Sequence, residues 1–392
     1  MPWPEVRTVE LRERFVKLVL REGHDKSALC REFGISRPTG YKWLSRYEES
    51  GRSGLVDRSK AAKTHPNAVL EEIEKEIVVF RGQHPKWGPL KIKTRLERQY
   101  PDRRYPAAST IGEVLKRSGL IVPVKRRART EPYRQPFVDC QGPNAVWCCD
   151  FKGWFRTGDG VRCDPFTLSD AYSRYLLRCQ VVRRLDEASV WPILVAAFCE
   201  YGLPATIRSD NGSPFASTSL AGLSRLAVKL IRLGIIPERI APAHPEQNGR
   251  HERMHRTLKE ATATPPQANW WKQQQTFDAF RKEYNDERPH QALGQQTPSE
   301  HYQASPRVYP FCLPEPEYPE GFLLRQVHHR GYLRFGGFEI YLSLALGEQW
   351  IGLAKEDDDR YGLYLGPVRF IGLDSRRGQL IKQKFVSRPS SR

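Results

Sequence analysis

No apolar run in this chain of 392 residues approaches the 18 residues that a membrane-crossing helix requires. No secretory signal is evident, because Met1-Pro-Trp-Pro-Glu leads directly into a charged helical pattern. There is no G-x-x-x-x-G-K-[ST] loop, which argues against an ATP motor, and no internal repeat. The eight cysteines, at 30, 140, 148, 149, 163, 179, 199 and 312, form no C-x-x-C pair and no zinc finger. Most stand within apolar stretches, as buried free thiols do. A reducing compartment, the cytoplasm, is expected.

Negative charge is also scarce. Lysine and arginine number 63 against 45 aspartates and glutamates, a net charge of +18. Such an excess points to a polyanionic partner. Residues 1–139 carry 30 Lys and Arg against 18 Asp and Glu, so two thirds of the excess lies in the first third of the chain. Apolar content of 39% with 11% aromatics is enough for real cores and excludes a disordered chain. The length fits two to four domains.

Residues 8–48 predict three helices. Leu11, Phe15, Leu18 and Val19 form a stripe at helical spacing, and Leu29 and Phe33 precede the turn Gly34-Ile35-Ser36. Ser36 can cap a third helix whose first turn accepts Pro38. Tyr41, Leu44 and Tyr47 are expected to face inward, leaving Arg37, Thr39, Lys42 and Arg46 outward. That arrangement is a helix-turn-helix with a basic recognition helix suited to the major groove, against the plainer reading of a three-helix bundle. The linker at 51–68 carries Lys60 and Lys63. A second helical set follows over Val69–Gly82, Pro89–Gln99 and Ala107–Ser118, closed by a basic run with Lys125, Arg126 and Arg127. Two DNA-binding domains are predicted: 1–62, a helix-turn-helix with its basic linker, and 63–130, a second helix-turn-helix of winged-helix-like character.

From Asn144 the pattern turns to strands. Val146–Arg156 alternates, Thr157-Gly-Asp-Gly160 is a hairpin turn, and Arg162–Ser169 and Tyr175–Val182 follow. A helix over Asp186–Tyr201 leads to a buried strand, Ala205–Ser209. Leu220–Leu233, Arg239–Ala241 and Gln247–Ala261 read as helix, strand and helix. Three antiparallel strands followed by helix, strand, helix, strand and helix is the order of an RNase H-like α/β fold. With a helical extension from Trp271 to Asn285, this core spans 137–303. Five prolines within 306–319 make a stiff linker. Glycine-punctuated strands over 321–392 predict a small all-β barrel that contacts DNA or protein. The fold class is therefore multidomain: all-α, then α/β, then all-β.

Three stretches carry chemistry: WCCDFKGWF at 147–155, TIRSDNG at 206–212 and HPEQNGRHERMHRTLK at 244–259. One carboxylate from each, Asp150, Asp210 and Glu252, would make a metal-binding triad for phosphodiester chemistry. Asp150 lies mid-strand among apolar neighbours, a costly place for a charge without a cation. Asp210 ends a strand, where α/β sheets present their sites. Phosphodiester transfer suits two Mg²⁺ ions held by a few carboxylates and substrate oxygens. The third stretch also contains His251-Glu252-Arg253-Met254-His255, a literal H-E-x-x-H that could bind Zn²⁺ with Glu252 as general base. Glu283 is the tempting third ligand for such a zinc metalloprotease. The cations flanking that helix, Arg250, Arg253, Arg256 and Lys259, oppose a zinc site.

Taken together, WCCDFKGWF, SDNGSPF, HPEQNGRHERMHRTLKE, YNDERPHQAL at 284–293 and LCREFGISRPTGYKWL at 29–44 resemble bacterial insertion-sequence transposases of the DDE type, with a retroviral-integrase core. The resemblance covers roughly residues 10–305. It implies that Asp150 bridges two Mg²⁺ ions, for which Mn²⁺ can substitute, while Asp210 and Glu252 bind one each. Glu246 is the competitor for the third position, with 35 residues between it and Asp210. The family's His/Cys zinc domain is missing, and helix-turn-helix units stand in its place. Metal-activated water would cut double-stranded DNA at the element's terminal inverted repeats. The freed 3′-hydroxyl would then attack target DNA, within a homo-oligomer that joins two ends. Lys152, Asn248, Arg250, Arg253, Arg256 and Lys259 are expected at the DNA backbone near the site. A catalytically idle, sequence-specific DNA-binding protein is the alternative.

Overall fold

The computed structural model describes residues 8–21, 25–58, 68–121, 140–151, 153–210, 212–215, 222–240 and 249–381. The chain forms two compact units, Met1–Val69 and Leu70–Arg392. In the first, α1 (Thr8–Val19), α2 (Lys26–Glu32) and α3 (Arg37–Ser50) surround Phe15, Val16, Leu29, Cys30, Trp43 and Leu44. Ser36 caps α3 by accepting from the Thr39 amide, with Pro38 in the first turn. Tyr41 does not face inward as the sequence predicts; it is exposed, and Trp43 takes the buried position. The inward stripe is Gly40, Trp43, Leu44 and Tyr47, the i, i+3, i+4, i+7 set of one helix face, and Tyr41 lies about 100° from its start.

The second unit begins with α4 (Glu71–Gln83), α5 (Pro89–Gln99) and α6 (Ala108–Arg117), packed around Ile77, Trp87, Ile92, Leu96, Ile111 and Leu115. These helices rest on the α/β core. Trp87 Nε1 donates to Glu283 (2.9 Å) and Arg98 to Glu300 (3.2 Å).

The core is a six-stranded mixed sheet with strands β1 (Val146–Phe151), β2 (Phe155–Arg156), β3 (Arg162–Asp170), β4 (Leu176–Val182), β5 (Thr206–Ser209) and β6 (Ile236–Arg239). Strand order is β2-β3-β1-β5-β6, with β4 also on β3. β3 pairs antiparallel with β1 and β4, whereas β1–β5 and β5–β6 are parallel. The predicted strand at 146–156 is interrupted after Phe151, where Gly153 adopts φ +84, a conformation that favours glycine. β6 starts three residues before its predicted position, because the apolar pair Ile235-Ile236 follows directly on the turn at Gly234.

Alternation along β1 explains the layers. Trp147 and Cys149 join Phe166, Leu194, Phe198 and Ile207 in the core under α7 (Glu187–Tyr201) and α8 (Arg225–Arg232). The opposite face is covered by α9 (Gly249–Thr262) and α10 (Trp270–Lys282), through Met254, Leu258, Phe277 and Phe280. α10 continues into a π-helical turn, Glu283–Glu287.

The predicted stiff linker is strapped to this core. Arg307 donates to the carbonyls of Pro204 and Leu233 (both 2.8 Å), and Arg232 to those of Leu313 (2.9 Å) and Pro314 (3.0 Å). Beyond it, β7 (Leu323–Gln326), β8 (Tyr332–Phe335), β9 (Phe338–Tyr341), β10 (Trp350–Asp357), β11 (Arg360–Leu365), β12 (Val368–Asp374) and β13 (Gln379–Ile381) follow. They do not close into the expected barrel among the described residues. Five form an open antiparallel sheet ordered β13-β12-β11-β10-β7, and β8–β9 is a separate hairpin. Apolar residues of the sheet and the hairpin, among them Leu333, Ile340, Leu353 and Leu363, share one cluster with Ala227, Val228 and Ile231 of α8. No helix among the described residues is long and apolar enough to cross a membrane.

Candidate active site

Asp150, one residue from the end of β1, lies opposite Thr167 of β3, and Cys148 lies opposite Ser169. These four share the sheet face that α9 covers. The Thr167 hydroxyl is the meeting point of two imidazoles: His251 Nε2 is 2.7 Å away and His255 Nε2 is 2.6 Å away. Thr167 also donates to the Asp150 carbonyl (3.2 Å). His251 Nδ1 is 3.0 Å from the Ser169 hydroxyl, so both its ring nitrogens are engaged on β3. Burial drives its pKa down to about 3 and keeps it neutral. His255 turns Nδ1 toward Asp150 Oδ2, 3.8 Å away.

The parallel pairing of β1 with β5 sets Val146 opposite Thr206 and Cys148 opposite Arg208. Asp150 and Asp210 each stand two residues beyond the last of these pairs, Cys148 and Arg208. Asp210 follows β5 directly, and its Oδ1 accepts from the Gly212 amide at 3.0 Å. Cys149, on the core face of β1, has its thiol pushed well above its usual range by burial, with Cys148, Asp150 and Asp210 adding to the effect. Burial likewise raises Cys148 to about 12. Both stay protonated and make poor metal ligands.

Glu252 sits in the first turn of α9, where the helix dipole favours a carboxylate, and its side chain is exposed rather than turned into the sheet as a metal-binding role predicts. Around the helix it lies about 100° from His251, with His255 about 40° in the same sense. Glu252 therefore lies beside the buried histidine pair on the exposed side of α9, and it is not among the residues that gather with Asp150.

The HERMH segment does not have a zinc-protease arrangement. Its two Nε2 atoms converge on a threonine hydroxyl. Glu283, the expected third ligand, instead accepts from Trp87 Nε1 and lies 3.3 Å from His84 Nδ1. Asp150, His251 and His255 nevertheless bring one ligand atom each within 4.8 Å of the others, a group that could hold a metal ion. Thr167 and Ser169, which orient that group, carry no sequence signal beyond their alternation on β3.

Of the expected DNA contacts, Arg37 and Lys42 are exposed on α3. Lys42 and Arg46 lie over the Trp43 ring at 4.4 and 5.1 Å. The Thr39 hydroxyl is bonded to Ser36 Oγ (2.8 Å) as part of the cap. Arg253, Arg256 and Lys259 are exposed on α9. Lys60, Lys63, Lys125, Arg126, Arg127, Lys152 and Asn248 lie outside the described residues, as do the competitor Glu246 and the side chain of Arg250.

Residues 141–245 and 233–298 match two families described as integrase core domains. Residues 11–63 match a helix-turn-helix domain and 39–115 a homeodomain-like domain. Over 63% of its length the chain is 23% identical to the uncharacterized 39.2 kDa protein of insertion element IS476 from Xanthomonas euvesicatoria, covering 70% of that protein. Over 73% it is 24% identical to the transposase InsD for insertion element IS2 of Escherichia coli, covering 93% of it. Among solved structures, the HTLV-2 integrase catalytic core domain in complex with magnesium is similar with a TM-score of 0.33 and 14% identity, over 42% of this chain and 99% of that one. The protein carries an integrase core domain together with helix-turn-helix domains. Insertion-element transposases are among its homologues.

Proposed function

We propose that this protein is a DNA transposase that binds the ends of an insertion sequence, cuts there and joins the freed ends to target DNA. What supports the reading is the parallel pairing of β1 with β5, the two strands that lead to Asp150 and Asp210, under the helix α9 that carries Glu252 in its first turn. Three carboxylates offer the hard oxygen donors that Mg²⁺ or Mn²⁺ prefers. The histidines fit a supporting role better, since His251 has both nitrogens occupied by β3 hydroxyls. Asp150, Asp210 and Glu252 would hold the divalent ions, two per site, which when bound would supply Lewis-acid charge to the scissile phosphate. The chain's own part is to hold the carboxylates in place. Thr167 and His255 fix the Asp150 strand from two sides, and Gly212 holds the Asp210 carboxylate. Arg253, Arg256 and Lys259 on α9, with Lys152, Asn248 and Arg250, bind the DNA backbone, and Arg37, Thr39, Lys42 and Arg46 read the end sequence. Two ends must meet, so the working form is a homo-oligomer.

The test is cleavage and strand joining on DNA carrying the sequences that flank the gene. Both reactions should require Mg²⁺ or Mn²⁺ and be lost in Asp150→Asn, Asp210→Asn and Glu252→Gln, while end binding survives and Glu246→Gln stays active. Full joining by any of the three inactive variants would remove that residue from the site. Cleavage without joining would leave a nuclease instead.

A further inference from the structure

A cavity of ≈ 530 Å³ opens beside the Asp150 site on the α9 face of the sheet. Its walls come from α5, the β1 and β3 ends, α9 and the segment after the π-helical turn. Five cations line it: Lys91, Arg174, Arg253, Arg256 and Arg288. Cys148, Ala171 and Met254 contribute apolar surface. Asp170 is the one carboxylate among the described lining residues, and it is already engaged. It accepts from the amides of Asn144 (2.8 Å) and Ser173 (2.7 Å) and from the Ser173 hydroxyl (2.6 Å). Glu283, whose charge reaches Lys91, is held by Trp87 and His84.

Burial works against two of these cations, offset in part by the charge of Glu283 on both and of Glu260 on Arg288. Burial, then the charge of Arg288, pushes Lys91 down to about 8, and burial lowers Arg288 too. Like charges gathered in a partly desolvated cavity are stabilised by an anion that neutralises them. The volume lies within the range of about 300–1,000 Å³ typical of ligand sites. Cys148 is two residues along β1 from Asp150 on the same face, roughly 6.5 Å away. That is on the scale of the separation between neighbouring phosphates of one DNA strand, which wind around the axis as they rise about 3.4 Å along it.

We propose that the cavity is a phosphate site that grips the backbone of one DNA strand next to Asp150, with Lys91, Arg174 and Arg288 as its anchoring residues. The choice of DNA as occupant rests on the transposase reading; the cavity's demand for an anion does not. Because α5 and α9 both line it, a strand running from the helical domain to the carboxylates crosses the cavity. Lys91 and Arg288 thus belong to the DNA path although neither lies in the helix-turn-helix turn or near a carboxylate in sequence.

The experiment uses the full chain carrying Asp150→Asn, without divalent metal, so that no reaction contributes. Lys91→Gln, Arg174→Gln, Arg288→Gln and Arg288→Lys are compared for melting temperature and for affinity to an end-sequence duplex and a random duplex across a salt series. Each Gln variant should bind both duplexes about ten-fold more weakly, the size of one charge-assisted hydrogen bond. Each should also lower the salt slope by about one. Lys91→Gln and Arg288→Gln should melt no lower than the parent without DNA, and Arg288→Lys should keep the parent's slope. Unchanged affinity and slope in the Gln variants would overturn the proposal. So would lost affinity matched by a large fall in melting temperature, which marks a structural role. Stabilisation by inorganic pyrophosphate that depends on Lys91 and Arg288, with DNA affinity unaltered, would overturn the assignment to DNA while leaving an anion site. If instead the variants behave as expected but the parent without Asp150→Asn neither cuts nor joins DNA, the transposase reading fails and the site stands.

Discussion

Thr167 presents one hydroxyl to three partners: two imidazole nitrogens and the carbonyl of Asp150. Thr167→Val keeps the shape and removes the polar atom, leaving two buried rings short of a partner. A loss of about 1–3 kcal/mol per orphaned group is expected, read as a fall in the denaturant midpoint. Activity should fall with it, because His255 no longer has a fixed position beside Asp150, but the metal requirement should not change. Wild-type stability in Thr167→Val would mean that a solvent molecule replaces the hydroxyl. His290 provides the pH dependence. Burial, with Lys91 and Arg288 adding to it, lowers its pKa to about 3, against about 6.5 in an unfolded chain. The unfolded state therefore takes up the proton first as pH falls. The stability that His290 contributes is complete above about pH 6.5 and drains away toward pH 3. Urea midpoints between pH 7.5 and 4.5 should drop more steeply in the parent than in His290→Asn. Parallel curves would show that His290 carries no proton difference between the states.

Among elements, α3 depends most visibly on a single small residue. A Cβ at Gly40 would stand 2.7 Å from Cys30 Sγ and 3.0 Å from Phe15 Cζ. Alanine gains roughly 1 kcal/mol of helix propensity there but must displace two buried side chains, at about 1–3 kcal/mol. Gly40→Ala should therefore destabilise the Met1–Val69 unit, detectable as faster amide exchange in α1–α3 with the second unit unaffected. Arg37→Ala should leave that stability alone and, if the side chain reads a base edge, relax end specificity by about 1–3 kcal/mol. Much at this scale was legible in the sequence. The Ser36 cap, the turn at Gly34 and Pro89 at the start of α5 are local chemistry, and their helices begin where those residues stand. What local pattern could not give was the choice between near neighbours on one helix. Tyr41 and Trp43 are both aromatic, and only the position of α1 and α2 decides which is buried. The sequence placed Asp150 within a strand and Asp210 at a strand's end, and the structure has Asp150 in β1 and Asp210 directly after β5. The partners that orient the Asp150 strand, Thr167 and Ser169, were not, because they are brought to it by an antiparallel pairing 17 and 19 residues away.

Across the whole molecule, the same limit of local reading applies at longer range. The glycine-rich strands after residue 320 were visible, but closure of a sheet depends on which edges meet, and here an open sheet is completed by the side of α8. The proline-rich linker was visible as stiff; its attachment was not, since Arg232 and Arg307 reach carbonyls distant in sequence. Arg307→Ala removes bonds to Pro204, Leu233 and Gly234 together. A loss of about 2–4 kcal/mol is expected from charge-assisted bonds of this kind. Limited proteolysis should then cut first within 303–320 while the core strands stay protected. Cleavage elsewhere in preference would mean that the strap is held mainly by its apolar contacts.

The π-helical turn at Glu283–Glu287 joins two neighbourhoods within one short stretch of backbone. Glu283 at its start holds Trp87 of the helical domain, Asn285 bonds both backbone groups of Leu176 on β4, and Arg288 just past its end lines the cationic cavity with Lys91 of α5. An anion bound between Lys91 and Arg288 would act as a latch, tying α5 to the core at a second point. Thermodynamic reciprocity then requires that whatever loosens the seat of Trp87 weaken the anion by the same factor as the anion tightens the seat. The turn would in that way let the helical domain sense that a strand has arrived.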